Sequence, residues 1–165
     1  QIMACEADLG KAKVKVAVAR VKKINAAVQV TAISRKIDVR NIKKIIKGAQ
    51  VVIDALDNAS TRAVLARACA DLQLPLVHAA VAGWCGELAS VFPEDKGFKA
   101  ICADMHSQKC KGIETLVGTP SATPAVFAAW QAQEAIKIIT GIGVPVRGRM
   151  LFLDFSAGHI NEIKL

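Results

Sequence analysis

Residues 51–58 run Val51-Val52-Ile53-Asp54-Ala55-Leu56-Asp57-Asn58 and join a short apolar segment to a group of polar side chains. Three consecutive β-branched residues between polar neighbours are typical of a short strand that is buried on both faces of a parallel sheet. Asp57 and Asn58 then stand where the strand has ended and a helix begins. Ligands of open α/β sheets bind at the carboxyl ends of strands, so this stretch indicates a fold class and a position for a site.

Two interpretations of this polar group remain open. A carboxylate such as Asp57 at the end of a strand can hold Mg²⁺ against phosphate oxygens. Asp57 or Asn58 can also cap the following helix, as Asp and Asn side chains commonly do. The spacing does not decide between a magnesium ligand and a cap, and both can be true.

Strand and helix patterns alternate on both sides of this stretch. We expect strands over residues 28–34, 51–53, 75–79 and 86–92, and helices over residues 11–24, 38–48 and 59–72. This β–α–β–α–β order favours an α/β fold with a mostly parallel sheet and flanking helices.

The C-terminal third adds a helix and a hairpin. We expect Thr123 to be the N-cap and Pro124 to lie in the first turn of a helix that Gly141 ends. Residues 150–155 and 160–165 predict an antiparallel hairpin around Gly158. Residues 93–119 lack a clear pattern and form a long connector, which in a compact domain is usually functional or mobile.

Length, charge and composition narrow the class of protein. The chain has 165 residues, enough for one domain, and contains no apolar run of the ~18 residues that a membrane span requires. Residues 1–50 hold 12 Lys and Arg against 3 Asp and Glu, whereas residues 51–165 hold 10 against 11. The basic part is either a solvated surface or a region that attracts phosphates, nucleic acid or an acidic protein.

The five cysteines predict a reducing, cytoplasmic environment, because their number is odd and no signal peptide precedes them. No C-x-x-C pair is present, so we expect no structural zinc. Cys110 lies between Lys109 and Lys111 in the connector, where a lowered pKa would make its thiol a nucleophile. It can equally be an ordinary surface cysteine.

Three further side chains are candidates for the same chemistry. Lys13 lies near the start of a helix and can reach a triphosphate or simply face solvent. Arg62 lies one turn into the helix after Asp57 and can bind a phosphate or pair with a carboxylate. His78 ends an apolar strand, where a lone histidine is more often structural than functional.

The chain has no phosphate-binding loop of the two common types. Neither G-x-G-x-x-G nor G-x-x-x-x-G-K-[ST] occurs in it. Nucleotide binding within these residues would have to use other groups, and a nicotinamide-dependent oxidoreductase is disfavoured.

Six groups of residues occur in a familiar order along the chain. They are Gln1-Ile2 with Glu6-Ala7-Asp8-Leu9-Gly10-Lys11-Ala12-Lys13-Val14, Arg20 with Ile24-Asn25, Asp54-Ala55-Leu56-Asp57-Asn58 with Thr61-Arg62, Pro75-Leu76-Val77-His78-Ala79-Ala80-Val81-Ala82-Gly83, Gln133-Glu134-Ala135-Ile136-Lys137-Ile138-Ile139-Thr140-Gly141, and Gly148-Arg149-Met150-Leu151. Together they resemble the ThiF/MoeB/HesA family, the bacterial relatives of ubiquitin-activating enzymes, and most closely its shorter ThiF-like variants. The resemblance runs over essentially the whole chain.

The resemblance implies a Rossmann-like fold and an ATP-dependent adenylyltransferase. Such enzymes adenylate the C-terminal glycine of a ubiquitin-like sulfur carrier of the ThiS or MoaD type, which ends in Gly-Gly, and release pyrophosphate. By position, Asp57 resembles the catalytic aspartate that is associated with Mg²⁺, and Lys13 resembles the lysine that contacts the phosphates of ATP. Asn58 and Arg62 accompany them as nucleotide-binding candidates, and Cys110 falls near a loop cysteine that accepts sulfur or carrier in some members.

The resemblance also implies what surrounds this chain. Family members begin with a strand and a glycine-rich turn that hold the nucleotide, and the present sequence starts just after that unit. We therefore expect residues 1–165 to be a single family domain without its N-terminal unit, and to be inactive in adenylation by themselves. The helix that begins at Pro124 is expected to contribute to a homodimer, and neither a membrane nor a nucleic acid is expected as a partner.

Two alternatives to a carrier-protein adenylyltransferase remain. The enzyme could adenylate a different carboxylate, including one linked to tRNA, for which the basic first 50 residues leave room. The chain could also be a non-catalytic module that keeps only a surface for binding the carrier.

Overall fold

The structure, a computed structural model, describes residues 3–95 and 118–165. Their contacts divide the chain into two compact units, one that extends to Lys36 and one that begins at Ile37. None of the described helices is both long enough and apolar enough to cross a membrane.

The first unit is built around one basic helix. A short 3-10 helix over Glu6–Asp8 precedes helix α1, which spans Lys13–Ile24. Helix α1 contains five basic residues and no acidic one, and it buries Val16. The predicted helix is confirmed, although it begins two residues later than expected.

The strand expected over residues 28–34 is wrong. The structure assigns no strand there, and most of these side chains are exposed. A strand is stabilised by backbone hydrogen bonds to a neighbouring strand, and none of the described strands pairs with this segment. Alternating β-branched residues are therefore not sufficient to form a strand in this segment.

The second unit is a five-stranded sheet with flanking helices. The strands, which are neighbours in the order of the chain, are β1 (Val52–Ile53), β2 (Leu76–Ala82), β3 (Cys85–Val91), β4 (Arg149–Asp154) and β5 (His159–Lys164). The helices are α2 (Ile42–Ile46), α3 (Ala59–Asp71) and α4 (Ala122–Thr140). The α/β class, the flanking helices and the C-terminal hairpin are confirmed.

The described sheet is mixed, whereas the sequence had suggested a mostly parallel one. Strands β1 and β2 are parallel and are connected through α3, but the other three pairs are antiparallel. Only Gly83 and Trp84 separate β2 from β3, and a two-residue turn can join only antiparallel strands. The apolar character of β2 and β3 reflects burial and does not reveal their direction.

Strand β1 is also less buried than predicted. It is the first strand in the described sheet, with only β2 as its neighbour. Val52 is buried, but Ile53 is 43% exposed. One side of β1 therefore faces outward, and the prediction of burial on both faces is wrong.

One face of the sheet packs against α2 and α3. The short helix α2 follows a turn in which the Asp38 carboxylate accepts hydrogen bonds from the backbone amides of Arg40 and Asn41. Its Ile42 and Ile46 then join Leu65 and other apolar side chains of α3 in the larger core cluster. Burial of apolar surface of this kind contributes most of the stability of a small domain.

Helix α4 begins earlier than the sequence indicated. Its N-cap is Ser121, and Thr123, the predicted cap, lies inside the first turn with its amide bonded to the carbonyl of Pro120. The predicted end is confirmed, because Gly141 adopts the left-handed conformation with φ of 69°. Glycine is the residue that adopts this conformation at least cost.

A buried carboxylate connects α4 to the sheet. Glu134 is fully buried, and its side chain accepts hydrogen bonds from the Ser90 hydroxyl and the Val146 amide, both at 2.7 Å. The ammonium of Lys137 lies 2.6 Å from its other oxygen. Burial by itself raises the pKa of Glu134, but these hydrogen bonds outweigh it and hold the pKa below the ordinary value of 4.5.

The stabilisation by Glu134 should depend on pH. Since its pKa is lowered on folding, its contribution should be complete above pH 4.5 and should disappear as the pH falls through the folded-state pKa. We expect the free energy of unfolding to differ between wild type and Glu134→Gln by a constant amount above pH 4.5, and by less at lower pH. Urea unfolding at a series of pH values measures this difference. A difference that grows on acidification would contradict the assignment.

A close approach between β3 and α4 explains Gly86. A Cβ atom at this position would lie 2.5 Å from Cζ of the Phe127 ring and 2.9 Å from the carbonyl oxygen of Ala80. Phe127 is 2% exposed and packs edge-to-face on Phe155 with ring centroids 6.0 Å apart. The ring has little room to move away from β3.

Replacing Gly86 should therefore overpack this core. We expect Gly86→Ala to lower the free energy of unfolding by ~1–3 kcal/mol in urea denaturation. In a background that carries Phe127→Leu, the same substitution should cost clearly less, because the smaller side chain leaves space for the new methyl group. Equal costs in the two backgrounds would show that the Phe127 ring is not the obstacle.

Candidate functional site

The candidate site begins with Asp54, the first residue after β1. Asp54 is 2% exposed, and its Oδ1 accepts a hydrogen bond from the backbone amide of Leu56 at 3.0 Å. Its own amide donates to the carbonyl of Val77 on β2, and its carbonyl accepts from Nε2 of Gln131 on α4 at 2.8 Å. The end of β1 is thus held by both the sheet and the helix.

His78 lies beside Asp54 in the sheet. The parallel register pairs Ile53 with Val77, which brings the next residues of the two strands side by side. Nδ1 of His78 is 2.9 Å from Oδ2 of Asp54, and Nε2 is 3.3 Å from Oε1 of Glu87 on β3. His78 is 1% exposed, so a structural role is consistent with its position, but its partners are charged.

The contacts with the two carboxylates change the pKa of His78. Burial by itself lowers the pKa of this imidazole, but the contacts with Asp54 and Glu87 outweigh it and raise the pKa above the ordinary 6.5. A histidine in such a position can hold its positive charge inside the protein at a pH where an exposed imidazole is neutral.

Arg62 reaches the same group from α3. Its Nη2 donates to the carbonyl of Leu56 at 2.5 Å, and its Nε lies 3.4 Å from Oδ2 of Asp54. Nε is buried and has no hydrogen-bond partner, so its interaction with Asp54 is an ion pair without hydrogen-bond geometry. Of the two interpretations offered for Arg62, the structure shows the pairing with a carboxylate, and contact with a phosphate stays a prediction.

Asn58 caps the helix that follows. Its Oδ1 accepts hydrogen bonds from the Thr61 amide at 2.8 Å and from the Ser60 hydroxyl at 2.9 Å. Its Nδ2 donates to Oδ1 of Asp57 at 3.0 Å. The capping interpretation is therefore confirmed for Asn58.

Asp57 is exposed at the N-terminal end of α3. The peptide dipoles of a helix make this end positive, which favours anions and phosphates beside it. Asn58, and not Asp57, is the N-cap residue of this helix. Its function as a magnesium ligand or catalytic residue stays a prediction.

The exposed carboxylate of Asp57 is of the type that binds magnesium in nucleotide sites. Across residues 3–95 and 118–165, no three His, Cys, Asp or Glu side chains lie close enough together to hold a metal ion. Mg²⁺ in nucleotide sites is usually bound by one or two carboxylates, several waters and the substrate's phosphates. One exposed carboxylate at a helix N-terminus meets that requirement.

Two of the predicted site residues, Lys13 and Cys110, lie outside the second unit as the structure describes it. Lys13 is the first residue of α1 and is exposed. It belongs to the first unit, where Lys11 and Lys15 line an open recess of about 340 Å³ and Lys11 pairs with Asp8 at 2.9 Å. Cys110 lies outside the described residues. Both assignments stay predictions.

Several buried polar residues of the second unit were not indicated by the local sequence patterns. Asp54 was part of the quoted stretch, but only its position after a strand had been noted, and Glu87 and Gln131 had not been considered. Gln131 and Glu134 lie one turn apart in the largely apolar helix α4, and both are buried. Two polar residues on one face of an apolar helix are the signal that could have indicated a buried polar network.

Comparison with known proteins identifies the family. The model of the ThiF family matches residues 1–165. The chain belongs to the ThiF family. Its similarity therefore extends over both units, including the stretch that carries Asp54, Asp57 and Asn58.

Individual relatives are similar over most or all of the chain. The "SAMP-activating enzyme E1" of Haloferax volcanii is 29% identical over 93% of this chain and 57% of its own length. The "Sulfur carrier protein ThiS adenylyltransferase" of Escherichia coli is 29% identical over the whole chain and 65% of its own length. The chain thus spans less than two thirds of either relative.

A solved structure supports the fold. The crystal structure of E. coli MccB with ATP matches with a TM-score of 0.80 at 18% identity, over 99% of this chain and 51% of that one. The α/β fold with flanking helices is therefore that of a known protein.

The cap provided by Asn58 can be tested by its effect on stability. We expect Asn58→Ala to lower the free energy of unfolding by ~1 kcal/mol, because the Thr61 amide loses its acceptor. Asn58→Ser retains a capping oxygen and should cost clearly less. Urea denaturation of the three proteins measures both differences, and equal losses for Ala and Ser would argue against a capping role.

Proposed function

We propose that the intact protein uses MgATP to adenylate the C-terminal glycine of a ubiquitin-like sulfur-carrier protein of the ThiS or MoaD type. The observation that carries this proposal is the exposed Asp57 carboxylate at the N-terminus of α3, on a backbone that Asp54 and Arg62 hold. The family and the printed names of the two relatives support the same activity.

The reaction joins the carrier to AMP. A carboxylate oxygen of the terminal glycine attacks the α-phosphorus of ATP, the bond from this phosphorus to the bridging oxygen breaks, and pyrophosphate leaves with the electron pair. The product is an acyl-adenylate. Catalysis of such a step depends on positioning the two reactants and on stabilising the charge of the phosphates.

The chain contributes charge at defined positions in this proposal. Asp57 holds the magnesium ion, which neutralises phosphate charge when it is bound. Asn58 fixes the position of Asp57 through the hydrogen bond between their side chains. Lys13 contributes an ammonium for the phosphates, and the role of Arg62 is mainly to hold the backbone before Asp57.

Other parts of the proposal concern partners and later steps. Cys110 would act as a nucleophile whose thiolate attacks the carbonyl carbon of the acyl-adenylate, forms a thioester with the carrier and releases AMP. We also propose that the protein forms a homodimer to which α4 contributes. Its proposed location is the cytoplasm. Exposed apolar side chains on α4, Val126, Ile136 and Ile139, are compatible with a second subunit.

A second candidate is the adenylation of a different carboxylate, including one linked to tRNA. Helix α1 favours it, because its five basic residues have no acidic neighbour within the helix. Affinity for RNA that falls steeply with salt would support this alternative. A carrier-dependent reaction without RNA binding would exclude it.

The proposal is tested by ATP–pyrophosphate exchange in the full-length natural protein, with and without a carrier that ends in Gly-Gly. We expect exchange that depends on the carrier and falls at least about 100-fold in Asp57→Ala, since a charge that stabilises the phosphates is lost.

Asp71→Ala is the matched control for this experiment. Asp71 lies at the opposite end of α3 and pairs with Lys43 and Arg67 at the surface. Its loss should leave exchange within about twofold of wild type. Full activity in Asp57→Ala would overturn the mechanism, and a folded wild-type protein without any exchange would favour the non-catalytic binding module.

A further inference from the structure

The backbone directly before Asp57 is held at both of its polar groups. The amide of Leu56 donates to Oδ1 of Asp54, and the carbonyl of Leu56 accepts from Nη2 of Arg62. These two groups belong to the consecutive peptide units on either side of the Leu56 Cα, so neither unit is free to rotate. The direction in which the chain enters Asp57 therefore depends on where Asp54 and Arg62 lie.

Asp54 contacts each of the groups that fix this backbone. Its Oδ2 lies 2.9 Å from Nδ1 of His78 and 3.4 Å from Nε of Arg62, while Oδ1 holds Leu56. The carboxylate is almost fully buried, and a buried charge is tolerated only where opposite charges and hydrogen bonds compensate it. The position of Asp54 is thus determined by its two cationic partners.

Both ring nitrogens of His78 face carboxylate oxygens. Nδ1 faces Asp54 and Nε2 faces Glu87, at 2.9 Å and 3.3 Å. A neutral imidazole has one N–H, so it can donate to only one of the two carboxylates and must turn a lone pair toward the other. Only the imidazolium can donate to both at once.

The remaining groups around His78 are occupied elsewhere. On α4, Gln131 donates to the carbonyls of Asp54 and Val77, and Glu134 is bonded to Ser90, Val146 and Lys137. On α3, Arg62 reaches the histidine only through Asp54. Asp54 and Glu87 are therefore the two carboxylates that pair with His78 within the described residues.

We propose that His78 is a positioning residue for Asp57: as an imidazolium that bridges Asp54 and Glu87, it fixes the carboxylate that holds the Leu56 backbone. Its catalytic consequence rests on the proposed function, whereas its effect on the backbone does not. Loss of the proton removes the positive charge beside Asp54 and leaves one of the two carboxylates facing a lone pair, so Asp54 and the Leu56 backbone are held less firmly. His78 thereby makes the geometry before Asp57 dependent on pH.

The first test measures amide hydrogen exchange at Leu56 in the full-length protein, without nucleotide or carrier. After correction for intrinsic exchange rates, protection of this amide should be high below pH 6.5 and should fall about 10-fold as the pH rises through the pKa of His78. In His78→Gln, protection should be low throughout and should not change with pH.

Two further variants complete the exchange experiment. His159→Gln makes the same chemical change at an exposed position on β5 and should behave as wild type. Glu87→Gln, at a side chain that is 35% exposed, removes one carboxylate and should move the pH midpoint to a lower value. Protection that is the same in wild type and His78→Gln, or a midpoint that Glu87→Gln does not move, would overturn the proposal.

The second test measures ATP–pyrophosphate exchange. Replacing a residue that orients a metal ligand typically costs about 10–100-fold, so His78→Gln should raise the Mg²⁺ concentration needed for half-maximal exchange about 10-fold. The KM for the carrier should be unchanged. Normal Mg²⁺ dependence in His78→Gln would overturn the proposal even if protection of Leu56 had fallen.

The two tests separate this inference from the proposed function. If the wild-type protein shows no exchange activity but Leu56 loses protection as described, the positioning by His78 is supported and adenylation is refuted. If the wild type is active and His78→Gln matches it in both tests, adenylation is supported and the positioning is refuted.

Discussion

The second unit depends on a carboxylate that is buried at the end of its first strand. Taking the charge of Asp54 out of water costs several kcal/mol unless cations and hydrogen bonds compensate it. Compensation comes from His78 on β2, Arg62 on α3 and the backbone amide of Leu56. Each of these partners lies on a different segment, so one buried charge brings together β1, β2, α3 and the turn before Asp57.

The same principle connects the long helix to the sheet. Glu134 is buried on α4, and its oxygens are bonded to Ser90 on β3, to the backbone of Val146 and to Lys137. Gln131, one turn earlier, donates to the carbonyl of Asp54, directly after β1, and to the carbonyl of Val77 on β2. The face of α4 that lies against the sheet therefore has directional contacts as well as apolar ones, which sets its position along the strands.

The charged residues that hold the fold differ in burial from the carboxylate that is proposed to bind a ligand. Asp54, His78 and Glu134 are buried, whereas Asp57 is exposed at the N-terminus of α3, where the side chain of Asn58 donates to it. The buried charges hold the backbone, and the exposed one can meet a ligand. A site that binds phosphates through a metal ion requires such a fixed carboxylate, because its orientation must not change while the ligand enters.

Several elements could be predicted from local sequence. The helices over 13–24 and 59–71, the end of α4 at Gly141 and the C-terminal hairpin all follow from periodicity, caps and turn residues. Local patterns do not contain the direction of a neighbouring strand, so the antiparallel pairs β2–β3 and β3–β4 were missed. For the same reason residues 28–34 were assigned to a strand, although none of the described strands pairs with them.

The sequence by itself indicated the family, through groups of residues along the whole chain, and the stretch that carries Asp57 and Asn58, whose residues are neighbours in the chain. It left open which residue caps the helix, and the structure assigns the cap to Asn58. The tertiary structure decided the roles of Asp54, His78, Arg62 and Glu87. His78 is separated from Asp54 by 24 residues, and Glu87 follows His78 by nine, on the next strand. Only the folded sheet brings their charges within hydrogen-bonding distance, and the electrostatic interactions that hold them depend on burial, which the sequence does not state.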